Sequence, residues 1–424
     1  MLAAGLDFSR SAGHSHHKGF WIGELQAGQG ATGMRIAEPV NAHDEQYWMW
    51  QVVGHGAREI AVYAWYPMSS GFESNGYGLI NLDGTVTERA RAAGQTANAI
   101  ARHAAEILES TPAQAQVAIL YNRLSYMVGG SQPSLSKLGN AERDSLLGLY
   151  NAFFEQNVPV DFVHPEDVTE NRLGQYKILF LPFPVMLSRD VAEGVRRYVE
   201  AGGTVVAEAR LAWNDARGFA SDVIPGAGLA EVFGARESMI KPADKVQIQT
   251  ETSAALPGWP VHTVVHGDAF EEALEPLAGG AIVARFADGS PAIVTNREGK
   301  GRTFLIGSFL ALGYYRRHDP NTQRFFLSLT QAAGVSPDVG VSGTEASEVE
   351  VRRLVEAEQQ LILVFNHAHG SADVSVAIQF PWTVGEAHEL ESDQPISFQN
   401  SAGRATFHKR LAAGAIWVFS VRGS

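Results

Sequence analysis

The sequence predicts an α/β protein whose C-terminal part consists of β-strands alone. Three patterns in the sequence support this prediction. A strand–helix–strand unit fills residues 19–66, alternating strands and helices fill 117–333, and short strands alone fill 348–421. The first pattern joins two parallel strands, the second predicts a parallel, doubly wound sheet, and the third predicts a small antiparallel sandwich. We therefore expect three domains, at residues 1–112, 113–338 and 339–424.

Composition excludes several classes of function. The chain has 424 residues, a formal net charge of -13 and no cysteine. The acidic balance makes nucleic acid and anionic membrane surfaces poor partners, and the missing cysteines exclude disulfides, thiolate metal sites and a cysteine nucleophile. No apolar run approaches the roughly 18 residues of a membrane span. Residues 1–10 show neither a signal peptide nor a targeting pattern. We expect a cytoplasmic protein that has no membrane partner.

The first strand, Phe20-Trp21-Ile22-Gly23-Glu24-Leu25-Gln26, brings a carboxylate to its carboxyl end. In a (β/α) barrel the functional residues lie at such strand ends, which makes Glu24 the first candidate for chemistry. The glycine-rich residues 27–33 could form a phosphate cradle or a flexible loop over a pocket. The second interpretation is favoured, because no Gly-Lys-Ser/Thr follows and no helix begins directly behind the loop.

A helix and a second strand follow. Asn41 can cap the helix, with Asp44 and Glu45 favourable in its first turn. The second strand, residues 60–65, ends at Trp65, and the loop after it combines aromatic rings with Glu73. Aromatic rings can stack on the apolar faces of sugars, and a carboxylate can accept hydrogen bonds from sugar hydroxyl groups. An ordinary surface loop with packed aromatics is an equally good interpretation of this loop alone.

Standard sequence signals predict the next helix and the elements of the middle region. Thr85 and Glu88 match a capping box, so a helix is expected from there to about Leu108, ended by Thr111-Pro112. No G-x-G-x-x-G or Walker pattern follows a middle-region strand, so Glu208 and His318 are candidate site residues by position alone. Strands are expected at residues 117–121, 160–163, 177–181, 204–209, 292–295 and 303–307, and helices at 141–156, after Ser188, and at 321–333.

Residues 334–345 are expected to be a linker, and the strands beyond it a small sandwich. Two histidine groups could bind metal: His367 with His369 at a turn, and His14 with His16 and His17 near the start. Solvated polar segments are the favoured interpretation of both, since no fourth ligand stands at regular spacing. We therefore predict no metal site. The strands are expected at residues 348–354, 360–366, 372–380, 404–408 and 415–421.

Three features together resemble the C-terminal two-thirds of a family 42 glycoside hydrolase, the β-galactosidase family. Residues 20–26 resemble the end of barrel strand seven, which carries the nucleophilic glutamate followed closely by glutamine. Tyr63-Ala64-Trp65 and Ser70-Gly71-Phe72-Glu73 resemble strand eight and its loop. The order of the parts is also that of the family: the end of a (β/α)8 barrel, a flavodoxin-like domain and a small β domain.

The resemblance implies a function and a division of roles. Glu24 would be the nucleophile of a retaining hydrolase acting on β-galactosides or related oligosaccharides, and Trp65 and Glu73 would bind the terminal sugar. The middle domain, similar to a glutamine amidotransferase sheet, would mediate trimerisation, and no cofactor is implied. The family's general acid/base stands at the end of strand four, which precedes this sequence. We therefore expect a fragment, inactive alone, of a parent roughly 250 residues longer.

Departures from the family pattern leave the exact sugar open. Tyr66 follows Trp65 where the family commonly has arginine, no histidine follows soon after Glu73, and Ala27-Gly28 replaces a proline-glycine pair. Two alternatives remain. The chain could be a non-catalytic oligomerisation module left by truncation. It could also be a small-molecule enzyme built on the middle domain, which the missing cysteine and the missing G-x-S-x-G disfavour.

Overall fold

The computed structural model describes residues 2–14, 19–130, 138–251 and 254–424. The chain folds into two compact units. One contains the described residues up to Gln114, Glu155–Asn157 and Pro337–Ser424, and the other contains Ala115–Phe154 and Val158–Ser336. The first and third predicted domains thus contribute to one unit, and the exact domain boundaries stay a prediction.

The first segment contains the predicted strand–helix–strand unit. Strands β1 and β4 pair in parallel, with Leu25 opposite Val62, and the helix α2 joins them. The Asn41 side chain accepts the His43 and Asp44 N–H groups and so caps α2 as predicted. The elements are α1 (Leu2–His14), β1 (Phe20–Gln26), β2 (Ala31–Thr32), β3 (Arg35–Ile36), α2 (Ala42–Gly54), β4 (Ala57–Tyr63), α3 (Glu88–Arg102), α4 (Ala104–Glu109) and β5 (Thr111–Pro112).

The predicted capping box at Thr85 and Glu88 is wrong, and the helix begins two residues later than expected. Its N-cap is Thr87, whose Oγ1 accepts the Ala90 N–H at 3.1 Å. The Thr85 backbone N–H and hydroxyl instead donate to the Asp83 carboxylate in a preceding turn. The expected single helix is also divided at His103 into α3 and α4.

The second unit is built on one nine-stranded sheet. Its parallel strands run in the order β16-β9-β8-β6-β7, and the antiparallel strands β15, β14, β11 and β12 extend it beyond β16. The elements are β6 (Val117–Leu120), α5 (Arg123–Gly130), α6 (Ala141–Phe154), β7 (Val160–Val163), α7 (Pro165–Thr169), β8 (Ile178–Leu181), α8 (Arg189–Ala201), β9 (Thr204–Ala207), α9 (Leu229–Phe233), β10 (Ala235–Pro242), β11 (Val246–Thr250), β12 (Val264–Gly267), β13 (Phe270–Pro276), β14 (Ala281–Phe286), β15 (Pro291–Glu298), β16 (Gly301–Ile306), α10 (Leu310–Arg317) and α11 (Pro320–Ala332).

Helices cover both faces of the parallel half, which confirms the doubly wound prediction. Leu179 of β8 packs in one core cluster with Val195 of α8. The neighbouring Phe180 points to the other face, where its ring contacts Phe153 of α6 and Phe326 of α11. Strands buried on both faces read as uninterrupted apolar runs, which is why their positions could be predicted.

The C-terminal strands form the predicted antiparallel sandwich. Its sheets have the orders β17-β20-β23-β22 and β21-β24-β19-β18-β5, and a short 3₁₀ turn occupies Ala346–Glu348. The linker expected at 334–345 is wrong in part, because Val339 pairs with Ile378 and is buried in the sandwich core. The strands are β17 (Val339–Gly343), β18 (Val349–Val355), β19 (Gln359–Asn366), β20 (Ala372–Gln379), β21 (Val384–Glu389), β22 (Phe398–Ser401), β23 (Arg404–Leu411) and β24 (Ile416–Gly423).

Residues 111 and 112, expected only to stop a helix, form the edge strand β5. Thr111 pairs with Val355 and Pro112 with Leu354. Proline has no N–H to donate and is found mainly on edge strands, which is where it stands here. Among the described residues, no helix is both long and apolar enough to cross a membrane.

Candidate active site

Glu24 lies near the carboxyl end of β1 with its side chain exposed. In the register of the parallel pair, the next two residues, Leu25 and Gln26, stand opposite Val62 and Tyr63 of β4. The Glu24 carboxylate is close enough to the Tyr63 hydroxyl for its negative charge to contribute to a raised Tyr63 pKa. Two neighbouring strand ends therefore bring an exposed carboxylate beside a phenol.

Glu73 joins this pair through the loop that follows β4. The Tyr63 hydroxyl donates a hydrogen bond of 3.0 Å to Oε2 of Glu73. That hydrogen bond is the largest cause of the raised pKa of Tyr63, followed by burial and by the charges of Glu73 and Glu24. The ring of Tyr77 lies 5.6 Å from the Tyr63 ring. The structure thus gathers Glu24, Tyr63, Glu73 and Tyr77 in one place.

Trp65 stands just beyond β4, which ends at Tyr63, and its side chain is 60% exposed. Its backbone is held, because its carbonyl accepts the Ile80 N–H at 3.1 Å. Among the described contacts, no hydrogen bond or ring contact joins its indole to Glu24 or Glu73. The indole therefore offers a free apolar face beside the loop that carries Glu73.

Backbone hydrogen bonds tie the glycine-rich loop to the loop after β4. The Tyr77 N–H donates to the Gln29 carbonyl at 2.9 Å, and the Gly33 N–H donates to the Phe72 carbonyl at 2.6 Å. A Cβ atom on Gly28 would stand 2.4 Å from the Gly78 carbonyl oxygen, so only glycine permits this approach. These hydrogen bonds hold the segment as a β2–β3 hairpin with a defined path, where the sequence predicted a flexible loop.

Glu208 and His318, which were candidates by position alone, both make contacts within the fold. The Glu208 carboxylate is buried at the end of β9 and accepts backbone N–H groups from Phe183 and Ala311, at 3.2 and 2.6 Å. Burial raises the pKa of Glu208 to about 7. His318 ends α10, and its ring packs edge-on against Tyr314. Glu208 thus fixes the amino end of α10 and has no open face toward a ligand.

Side-chain hydrogen bonds cross the sheet position where doubly wound proteins bind ligands. The chain runs from β6 outward to β7 and then to β8 on the other side of β6, and the crevice at such a reversal is the usual ligand site. The Asn122 amide donates to the Met186 carbonyl at 2.6 Å across this point, and the Ser125 hydroxyl donates to the same carbonyl. Both side chains are buried and are engaged within the fold, so neither supports a small-molecule enzyme built on this unit.

The histidines considered as metal ligands have other partners or lie outside the described residues. Nε2 of His367 lies 2.8 Å from Glu350, and its Nδ1 lies 2.7 Å from the Tyr47 hydroxyl. His369 is exposed. The His16 and His17 positions and the His14 side chain lie outside the described residues. In the part that is described, no group of three or more His, Asp or Glu side chains could hold a metal ion.

Sequence reasoning missed Tyr63 and Tyr77 as members of the site. The alternation of strand side chains places Tyr63 beside Glu24 only once the register of the structure is known, in which residue 63 stands opposite Gln26, two positions after Glu24. No sequence signal existed for Tyr77. It lies in a loop and adopts a positive φ of 64°, which local sequence does not predict for an aromatic residue.

Comparison with known proteins covers most of the chain. Residues 115–336 match the family described as β-galactosidase trimerisation domain. The β-galactosidase LacZ of Heyndrickxia coagulans is 25% identical over 380 residues, which is 87% of this chain and 52% of that protein. The crystal structure of the β-galactosidase from Bacillus circulans sp. alkalophilus has a TM-score of 0.80 at 17% identity, over 99% of this chain and 58% of that one.

A second solved structure agrees with the first. A catalytic mutant of Gan42B, a GH42 β-galactosidase from G. stearothermophilus, has a TM-score of 0.79 at 16% identity, over 99% of this chain and 56% of that one. These structural similarities confirm the fold class. The chain spans about half the length of the relatives it matches.

Proposed function

This chain belongs to glycoside hydrolase family 42, and on that premise we propose that it forms part of a retaining β-galactosidase. Glu24 is the nucleophile, Trp65 walls the terminal sugar and Glu73 binds its hydroxyl groups. The substrate is a β-galactoside or a related oligosaccharide. The general acid/base comes from residues outside this sequence, and the described residues alone are not expected to turn over substrate.

One observation carries the proposal: Glu24 is exposed at a strand end and lies beside the hydrogen-bonded pair Tyr63–Glu73. A retaining glycosidase needs a carboxylate free to attack the anomeric carbon and a second carboxyl group about 5 Å away to protonate the leaving oxygen. Glu24 fits the first role because its side chain is open to an incoming sugar. Glu73 fits substrate binding better than proton transfer, since Oε2 is already engaged and Oε1 can accept a sugar hydroxyl.

The reaction needs two carboxyl groups and water, so no cofactor enters the proposal. The assembly is a homo-oligomer, most simply a trimer, because the matched family is described as a trimerisation domain.

The nucleophile is tested in the longer protein that contains this chain. Glu24→Gln removes the attacking negative charge while keeping the shape, so nearly all turnover of an aryl β-galactoside should be lost with unchanged folding. Glu59→Gln is the matched control, because Glu59 is an exposed glutamate on the neighbouring strand β4. Turnover near the parental level in Glu24→Gln would contradict the nucleophile assignment.

A second candidate function is a non-catalytic oligomerisation module. Two observations favour it: β1 and β4 form a sheet of only two strands among the described residues, and the chain spans about half of its relatives' length.

The mass of the native protein, detected in its source with an antibody to this chain, distinguishes the module from the enzyme. A species near 45.8 kDa favours the module. A species of roughly 70 kDa or more, the size expected with a whole barrel, favours the enzyme.

A further inference from the structure

A cavity of about 230 Å³ lies in the C-terminal sandwich. Its walls come from the segment that joins β20 to β21, from the turn that joins β22 to β23, and from the strand residues beside them. Sites for drug-sized ligands enclose roughly 300–1,000 Å³, so this cavity suits one small ring. Its lining residues lie between positions 380 and 405, in a different part of the chain from Glu24, Trp65 and Glu73.

Two aromatic rings form one wall of the cavity. The rings of Phe380 and Trp382 are stacked, with centroids 4.9 Å apart and planes 29° from parallel. Phe380 is buried in the core of the sandwich, and the Trp382 Nε1–H donates to the Ala357 carbonyl at 3.1 Å. Both rings are therefore held in place before any ligand arrives, and they offer it apolar surface at a low cost in ordering entropy.

Two polar side chains in the lining are anchored by one end and open at the other. The Asn400 Nδ2 donates to the Val384 carbonyl at 2.9 Å, and the side-chain oxygen of Asn400 has no partner among the described contacts. The Arg404 Nη2 donates to the Pro337 carbonyl at 3.0 Å, whereas its Nε and Nη1 have none there. The cavity thus combines a positioned acceptor with positioned donors.

This combination selects the class of ligand. Among the described residues that line the cavity, Arg404 is the one with a charged side chain, so a cation would meet a like charge and no carboxylate. A wholly apolar ligand would cover the Asn400 oxygen and the Arg404 N–H groups without pairing them, which costs free energy. A pyranose satisfies both walls, because its C–H face can lie on the rings while its hydroxyl groups donate to the amide and accept from the guanidinium.

We propose that this cavity, the 380–405 cavity, binds one pyranose unit of a carbohydrate chain. The choice of galactose as that sugar rests on the proposed function, whereas the existence of the site rests on its own geometry. A second point of attachment on the same polypeptide keeps a long substrate close to the protein, because rebinding then occurs at a high effective concentration.

The experiment is an isothermal titration of the 424-residue chain with β-1,4-galactobiose. Arg404→Met removes the donors and Asn400→Ala removes the acceptor, so each variant should bind the disaccharide roughly tenfold more weakly than the wild type. Asn400 is exposed and Arg404 is half-buried, so both variants should keep the wild-type circular dichroism spectrum. Arg410→Met is the matched control, because Arg410 is an exposed arginine of the same strand β23 and lies outside the lining.

The titration is repeated in a chain carrying Trp65→Ala and Glu73→Ala, which excludes binding at the candidate active site. Binding that persists in this chain, and that both cavity variants weaken while Arg410→Met does not, supports the proposal. An absence of binding by the wild type overturns it, as does an unchanged affinity in both cavity variants or an equal loss in Arg410→Met.

Galacturonic acid is the second probe in the titration. If galacturonic acid binds and galactobiose does not, Arg404 recognises a carboxylate and the assignment of a neutral sugar is overturned. The proposed function fails or stands on the turnover of Glu24→Gln in the longer protein, and the 380–405 cavity fails or stands on these binding measurements. The two failures are therefore distinguishable.

Discussion

At the scale of single residues, Tyr63 links the two carboxylates of the candidate site. Its hydroxyl donates to Glu73, and the charge of Glu24 reaches it as well. The hydrogen bond to Glu73 raises the pKa of Tyr63, so the phenol keeps its proton and remains a donor through the neutral and mildly alkaline range. We infer that Tyr63 is a positioning residue, which fixes the orientation of Glu73 toward a sugar.

Tyr63→Phe tests this role in the longer protein. A hydrogen bond to a charged acceptor contributes about 1.5–3 kcal/mol when it is well shielded, and less at an exposed site. We therefore expect roughly a tenfold loss in kcat/KM, with most of it in KM, because the role proposed for Glu73 is to bind substrate.

Tyr66→Phe is the control for that experiment. Its hydroxyl donates to the Leu82 carbonyl in the same loop and has no carboxylate partner among the described contacts. Steady-state kinetics on an aryl β-galactoside measure both variants. Equal losses in the two variants would mean that Tyr63 only stabilises the loop.

At the scale of elements, α3 shows which local interaction sets a helix start. Two threonines compete for the role, and Thr87 caps the helix while Thr85 is engaged by Asp83. Thr87→Ala should lower the free energy of unfolding by about 1 kcal/mol, and Thr85→Ala should lower it by less. Urea denaturation followed by circular dichroism compares the two. A larger effect of Thr85→Ala would contradict the assignment of Thr87 as the cap.

The same helix illustrates what sequence can predict about elements. Both threonines precede a run of helical spacing, and Thr85 has the glutamate three residues later that a capping box needs. Sequence therefore favoured the wrong one. The choice depends on Asp83, whose carboxylate accepts the Thr85 N–H. That hydrogen bond is visible only in the three-dimensional structure.

In the second unit, strands that are buried throughout were predicted well, and two half-exposed strands were missed. Strands β6, β7, β8 and β9 are buried at every position and form continuous apolar runs. Strand β11 alternates buried and exposed residues over only five positions, and β10 is mostly exposed, so neither stood out. In the candidate site, Glu24 and Glu73 could be named through family resemblance. Their link through Tyr63 required the β1–β4 register and the path of the loop.

At the scale of the whole molecule, each compact unit contains buried carboxyl groups whose pKa values are shifted, and these shifts make the stability of the fold depend on pH. In the first unit, both ring nitrogens of His55 face buried carboxylates, Asp7 at 2.9 Å and Glu350 at 3.0 Å. Burial alone would raise the pKa values of these two carboxyl groups, but Arg352 and His55 lower both below the ordinary range. The lowered pKa means that this network stabilises the fold above about pH 4 and is lost as the pH falls further.

The second unit contains buried carboxyl groups whose pKa values are raised. Burial, together with the charge of Glu237, raises the pKa of Glu272 to about 8, and burial raises that of Glu208 to about 7. Oε1 of Glu272 has no hydrogen-bond partner, while Oε2 accepts the Arg210 N–H at 2.6 Å. Such groups hold protons more tightly when folded, so they stabilise the fold at low pH. That stability is lost as the pH rises from about 4.5 to about 8.

Glu272→Gln should therefore make the second unit less sensitive to alkali. The amide is neutral at every pH and its oxygen can still accept the Arg210 N–H, so stability at pH 5 should change little. At pH 8 the variant should be more stable than the wild type by on the order of 1–4 kcal/mol, since each pKa unit corresponds to about 1.4 kcal/mol. Hydrogen exchange at β9 and β15 measures the opening of this unit.

Glu275→Gln is the control, because Glu275 is an exposed partner of Arg236 and should give no such gain. A Glu272→Gln variant whose stability falls between pH 5 and 8 as steeply as the wild type would show that Glu272 is already ionised in the folded protein.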